Sequence, residues 1–414
     1  MRLPRVSIGC ALYLAGIASH AFTPAAEQIP ILRHADDRNV SAGLFTELEE
    51  LARIVDISYC VGLTSWGISK PFSCLSRCSD FPEFELVTTW NTGPMLSDSC
   101  GYIVLDHGKQ RVIVAFRGTY SVANTVVDLS TVPQEYVPYP GDDDDESSNA
   151  AYDVAEDIIA AAGVHQKRAI TKSAKCENCT VHMGFHTAWL HTRDKILPDL
   201  LQQLLIYPDY QLNFVGHSLG GAVAALAALE LKGRGWDSIV TTFGEPRVGN
   251  KGLVKFIDER FNLTNREDAT DDDQQMKYRR VTHIHDPVPL LPLTEWGFVM
   301  HAGEIYISRP DLIPDINDLK HCVGDNDKAC LAGQDSTTAD SAGAATVRKR
   351  DLLTSVEAEV HDVIHEPWGI PSRYKLWQLF FAHRDYFWRL GLCVPGGDPL
   401  GGGGKFGEGP NGEL

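Results

Sequence analysis

The chain predicts an α/β fold, with a mostly parallel central sheet and helices on both faces. Two observations carry this. Short apolar runs recur at the length of buried strands, and between them apolar residues return at helical spacing. Size is a third: 414 residues, 43% hydrophobic and 22% charged, suffice for a large globular core.

Taken in order, residues 45–59 place Leu48, Leu51, Ile54, Val55 and Ile57 on one helical stripe. Strands are expected over residues 101–106 and 111–116. Residues 134–175 are acidic and then mixed, with a helix expected over 152–162. A helix follows around 185–205, then a strand at 212–215, an Ala-rich helix at 222–232, and strands at 239–243 and 280–284. Residues 331–355 lack periodicity and are rich in Ser, Thr, Ala and Asp, so a loop is expected within an insertion spanning 331–372. That loop contains Arg348-Lys349-Arg350, either a processing site or an exposed basic cluster. The glycine-rich tail, 396–414, is expected to be disordered.

The N-terminus has the parts of a secretory signal over residues 1–21. Arg2 and Arg5 precede a mostly apolar stretch, and Ser19-His20-Ala21 offers small residues for cleavage. Residues 22–44 read as a pro-segment or arm, and 45–395 as the main domain. The apolar stretch is too short to span a bilayer, and no later segment reaches the ~20 residues required. A secreted, extracellular protein without a transmembrane segment is therefore expected, and a monomer. Asn39, Asn178 and Asn262 each open a glycosylation sequon, that of Asn178 hemmed in by two cysteines.

Export makes disulfides the expected fate of the cysteines that remain after the signal. Their number is odd, and Cys100, without a close partner, is the expected free thiol. Zinc is the rival reading of Cys176-x-x-Cys179, but no second close-set pair completes a site. The net charge of −18 argues against nucleic acid and against capture by anionic membranes. Adsorption to a neutral lipid surface remains open. The acidic runs at 142–146 and 271–273 read as solvated loops.

The chemistry centres on Gly216-His217-Ser218-Leu219-Gly220, a G-x-S-x-G motif between an expected strand and an expected helix. A nucleophile elbow requires that strand–turn–helix order. Its serine sits in strained backbone, and amides at the helix start face a developing oxyanion. Upstream, the strand at 112–116 runs into Arg117-Gly118-Thr119, a loop that could bring an amide and the Thr119 hydroxyl beside the elbow. Chain order Ser, Asp, His narrows the acid to carboxylates after Ser218. Asp286 is favoured because it follows an apolar strand directly.

Phe116-Arg117-Gly118-Thr119, the elbow, Gly244-Glu245-Pro246-Arg247-Val248-Gly249 and Tyr278-Arg279-Arg280-Val281 occur in that order. Together they resemble the fungal triacylglycerol lipase family, the class-three lipases of the α/β-hydrolase fold, from about Leu48 to Pro395. The resemblance implies Ser218 as nucleophile, Asp286 within Asp286-Pro287-Val288-Pro289 as acid, and His383, ahead of Tyr386, Phe387 and Cys393, as base. It implies an oxyanion hole from the Leu219 amide and from Thr119. His301 lies in a His-x-x-x-Glu-Tyr segment that has no triad role in the family; His283, His285, His361 and His365 are weaker alternatives. An amphipathic lid is implied over residues 120–129, with Val122, Val126 and Val127 apolar, although the tryptophan often found there is missing. Also implied are a tight Cys176–Cys179 disulfide and a Cys60–Cys393 bridge, with Cys74–Cys78 and Cys322–Cys330 closing local loops.

The implied activity is hydrolysis of carboxylic esters of acylglycerols at a lipid–water interface through an acyl-enzyme, without metal or organic cofactor. The alternatives are a soluble-ester hydrolase such as a feruloyl esterase, or a silent lipid- or wall-binding scaffold.

Overall fold

The structure, a computed structural model, describes residues 38–62, 67–93, 98–119, 133–138, 175–263, 276–334 and 381–395. The expected signal, most of the arm, the 120–129 lid and the 152–162 helix lie outside the described residues. So do both acidic runs, most of the 331–372 insertion with Arg348, His361 and His365, and the 396–414 tail.

Eight strands form one sheet: β1 (Phe84–Asn91), β2 (Cys100–Asp106), β3 (Arg111–Arg117), β6 (Gln211–His217), β7 (Ser238–Phe243), β8 (Tyr278–His283), β9 (Glu304–Ile307) and β10 (Leu319–His321). They lie side by side in that sequence. Short pairs β4 (Pro133–Glu135) with β5 (Thr180–His182), and β11 (Asp385–Tyr386) with β12 (Trp388–Arg389), stand apart from it.

From β3 through β9 the neighbours are parallel, and at both margins they are antiparallel. The connection lengths explain the difference. Four residues separate β2 from β3, enough only for a hairpin, whereas β6 reaches β7 through a whole helix. The sheet is thus parallel in its middle and mixed overall. Differences from expectation include β1, the β9–β10 pair and a helix at Lys251–Phe261, which sequence patterning did not reveal. β1 carries a register shift between Leu86 and Thr88 that breaks its alternation, and β10 has three residues.

The alternation of buried residues sorts the helices to opposite faces. Val112, Val114 and Phe116 of β3 join the core made by α2 (Met183–Ile206), α3 (Leu219–Gly233) and α4 (Lys251–Phe261). Ile113 and Ala115 of the same strand join the core made by α1 (Ala42–Ile57). Side chains one apart on a strand point to opposite faces, so one strand feeds two cores. Tyr278-Arg279-Arg280 obeys the same rule: Arg279 pairs with Glu47 of α1 at 2.7 Å, and Arg280 donates to the His301 carbonyl at 3.0 Å.

Helix α1 begins three residues earlier than its apolar stripe suggests. Ser41 caps it, with Oγ accepting the Leu44 amide at 3.1 Å. Ahead of the cap, Asn39 bridges to Lys320 and the Arg38 carbonyl accepts the His321 amide at 2.8 Å. Arg38 and Asn39 therefore cover part of the β10 edge of the sheet, which would otherwise present unpaired amides.

Four disulfides join Cys60–Cys393, Cys74–Cys78, Cys176–Cys179 and Cys322–Cys330, and Cys100 is a buried free thiol. Cys176 and Cys179 being bonded to each other, neither offers a thiolate to a metal. The Cys60–Cys393 bridge spans 333 residues and restrains the unfolded chain most. Replacing both of its cysteines with serine should lower the unfolding free energy by about 2–5 kcal/mol. A urea titration reads this as a fall in midpoint, against a much smaller fall for the Cys74–Cys78 double variant.

Candidate active site

Strand β6 ends at His217 and α3 begins at Leu219, so Ser218 alone turns the chain from strand to helix. It does so at φ 57°, ψ −131°, a region that disfavours any residue with a Cβ. Gly216 permits the bend, because a Cβ there would lie 2.2 Å from the Gly220 carbonyl oxygen. The Ser218 amide is fixed by the Phe243 carbonyl at 2.9 Å, at the end of β7.

One residue beyond, Gly244 stands at φ +61°. A Cβ at this glycine would lie 2.9 Å from His383 Cε1, 2.9 Å from Tyr386 Oη and 3.0 Å from Asp286 Oδ2. Serine, histidine and aspartate from three distant stretches of chain thus gather around the ends of β6, β7 and β8. The Gly-Glu-Pro-Arg segment also holds the loop after Asp286, since Arg247 donates to the carbonyls of Leu290 and Pro292 at 2.6 and 2.9 Å.

Asp286 reaches its place through a tight turn after β8, with its amide on the His283 carbonyl at 3.0 Å and His285 at φ 68°. Its carboxylate accepts His383 Nδ1–H at 3.0 and 3.1 Å, the Val288 amide at 2.9 Å and the Tyr386 hydroxyl. Burial pushes the carboxyl upward. The charge of His383 and the three donors outweigh it and hold the group below the usual carboxylate range. An ionised Asp286 on Nδ1 leaves the lone pair of His383 on Nε2.

That Nε2 is buried and makes no hydrogen bond among the described residues, so Ser218 Oγ is not bonded to it in this structure. Thr119 Oγ1 is likewise buried and without a partner among the described residues. Buried polar atoms left open are uncommon away from functional sites. The loop bearing Thr119 lies beside the elbow, since a Cβ on Gly118 would approach Ser218 Cβ to 2.8 Å. Leu219 opens α3, placing its amide at the positive end of the helix dipole.

The other histidines are placed elsewhere. His301 is engaged at both nitrogens, Nε2 with Glu245 at 3.1 Å and Nδ1 with the Ala302 carbonyl at 2.7 Å. His283 is buried under Tyr386, ring centroids 5.9 Å apart, and His285 is exposed. Sequence reasoning passed over two groups in this corner, Tyr386 as an Asp286 donor and His217 beside the nucleophile. His217 stacks on His383 with centroids 4.8 Å apart. Both sit inside motifs that the sequence displays, but only the folded chain reveals what they touch.

Comparison with known proteins matches the same framework. Residues 113–296 fit the family model described as Lipase (class 3). A secreted mono- and diacylglycerol lipase 2 of Gibberella zeae is 52% identical, over 87% of this chain and 85% of its own length. Lipase A of Sodiomyces alcalophilus is 47% identical, over 96% and 93%. Among solved structures, the Lip2 lipase of Yarrowia lipolytica superposes with a TM-score of 0.63 at 27% identity, covering 86% of this chain and 97% of that one. No described helix is long and apolar enough to cross a membrane. With half its residues shared along nearly the full length of a known lipase, and with the elbow built into an α/β-hydrolase sheet, this chain belongs to the class 3 lipases.

Proposed function

We propose that this protein is secreted and hydrolyses carboxylic ester bonds of acylglycerols, mono- and diacylglycerols included, with Ser218 as nucleophile, His383 as base and Asp286 as its orienting acid. The observation that carries the reading is the junction of a strained Ser218 with a His383 whose Nδ1 is committed to Asp286 and whose Nε2 is open. Secretion is supported by the N-terminal signal pattern, the disulfides and the description of the Gibberella zeae relative.

Ser218 Oγ attacks the ester carbonyl carbon while His383 Nε2 takes its proton. Amides at Thr119 and Leu219, with the Thr119 hydroxyl, hold the oxyanion; each donor of this kind is worth on the order of 10²–10³ in rate. Collapse breaks the bond to the glyceride oxygen, which leaves with the proton from Nε2. Water then adds to the acyl-enzyme by the same path and frees the fatty acid. Apart from that water, the steps use side chains and amides of this chain.

Exposed Trp296 and Phe381, in the loops after Asp286 and before His383, offer apolar surface to a lipid phase. The test is a fluorophosphonate label mapped by mass spectrometry, paired with rates on emulsified mono-, di- and triolein and on a soluble aryl ester. We expect the label on Ser218 and a higher rate once an interface forms. An unlabelled Ser218, or turnover confined to dissolved esters, would overturn the reading.

A further inference from the structure

Behind the proposed triad lies a line of hydrogen bonds that the acyl-transfer steps do not use. His217 Nε2 lies 2.8 Å from the backbone carbonyl of His383. A carbonyl only accepts, so Nε2 carries the proton. In a neutral imidazole Nδ1 is then bare, and it accepts the Tyr59 hydroxyl at 2.5 Å. The Tyr59 oxygen in turn lies against Gly118, the residue before Thr119, where an added Cβ would come within 2.5 Å of it. The direction of donation is therefore fixed from Tyr59 through His217 to the His383 carbonyl. All three residues besides His383 are buried.

From these contacts we propose that Tyr59 and His217 are positioning residues, forming a brace that sets His383 and the Thr119 loop at a common distance from Ser218. The proposal rests on the triad reading above and adds what aligns its parts. His217 is peptide-bonded to the nucleophile and bonded through its ring to the backbone of the base. Tyr59 holds that ring by its hydroxyl, which packs against Gly118 of the proposed oxyanion loop. It is also bonded to Cys60, whose disulfide holds Cys393, ten residues beyond His383.

The need for a brace follows from what carries His383. The described segment 381–395 contains only the two-residue strands β11 and β12, too little regular structure to fix a backbone by itself. Its position comes from outside attachments that include the Cys393 bridge, the Gly391 amide on Asp56 at 2.9 Å, Trp388 Nε1 on Glu49 at 2.8 Å, Tyr386 and the His383 ring on Asp286, and the His217 bond. Of these, the His217 bond alone acts on the main chain of the histidine itself. Burial, and then the charge His383 acquires, lower the His217 pKa to about 3, so the brace keeps one protonation state over the working range.

The test compares full-length wild type with Tyr59→Phe, His217→Leu, His217→Gln and the Tyr59→Phe/His217→Leu double variant on a soluble aryl ester, with Ser218→Ala alongside. Misplacing a catalytic group by about 1 Å costs roughly 10²-fold, so His217→Leu should lower kcat by about 30- to 100-fold with KM within about twofold. Tyr59→Phe should lower kcat by about fivefold to tenfold at an unchanged melting temperature. In the His217→Gln protein the new side-chain amide can still donate to the His383 carbonyl, and most of the loss should return. Links in series are not additive, so the double variant should fall little below His217→Leu.

The brace is overturned if Tyr59→Phe and His217→Leu turn over within about twofold of wild type, or if His217→Gln is no better than His217→Leu and the two losses multiply. Should His217→Leu fail to fold, Tyr59→Phe, which removes one oxygen, decides by the same kcat criterion. An active Ser218→Ala protein sinks the triad reading. A dead Ser218→Ala protein beside fully active brace variants sinks the brace alone.

Discussion

Ser218→Ala should lose kcat/KM on any ester by on the order of 10⁵–10⁶, because no other group can form the acyl-enzyme and the histidine has nothing to activate. Binding should persist, so an ester analogue should still protect the protein against heat. A companion variant separates chemistry from architecture. The positive φ of Ser218 costs roughly 1–3 kcal/mol in a residue with a Cβ, and glycine escapes it. Ser218→Gly should therefore be as inactive as Ser218→Ala yet melt at a higher temperature. Equal melting temperatures for both would mean that the bend stores no strain.

Asp286→Asn should lower kcat by on the order of 10³–10⁴ while KM stays within a few-fold. The amide can donate to His383 Nδ1, which favours the tautomer with its proton on Nε2 and leaves no base toward Ser218. The stability signature has a definite sign. The folded pKa of Asp286 is held below its ordinary value, so its contribution is present above the ordinary carboxylate range and is lost as pH falls through the folded value. The wild-type advantage over Asp286→Asn in chemical denaturation should accordingly shrink on acidification. A gap that widened toward low pH would contradict the ionised, donor-rich carboxylate described above.

Much of this corner was legible in linear sequence because its geometry is local. Gly216 to Gly220 specify a strand-to-helix bend through sterics among five neighbours, and the bend appears with the serine at positive φ. The middle strands were equally legible, since a strand buried on both faces is a short, nearly continuous apolar run. Strands β1 and β10 were not: one is interrupted by a bulge, and the other is three residues whose pairing depends on β9 and on Asn39. Helix α4 was missed although Asn250 caps it and Leu253, Val254, Phe256, Ile257 and Phe261 line one face.

From sequence alone came the fold class, the elbow and, through family resemblance, the pairing of Asp286 with His383, all carried by nearest-neighbour sterics, apolar periodicity or ordered motifs. Only the tertiary structure decided which polar atoms satisfy one another. That His301 is spent on Glu245, that Tyr386 serves Asp286, and that Tyr59 reaches His217 while His217 reaches the His383 carbonyl depend on residues from dozens to more than 150 positions apart. Hydrogen bonds act over about 3 Å, and no spacing in a linear chain encodes which distant groups the packed sheet will bring within that reach.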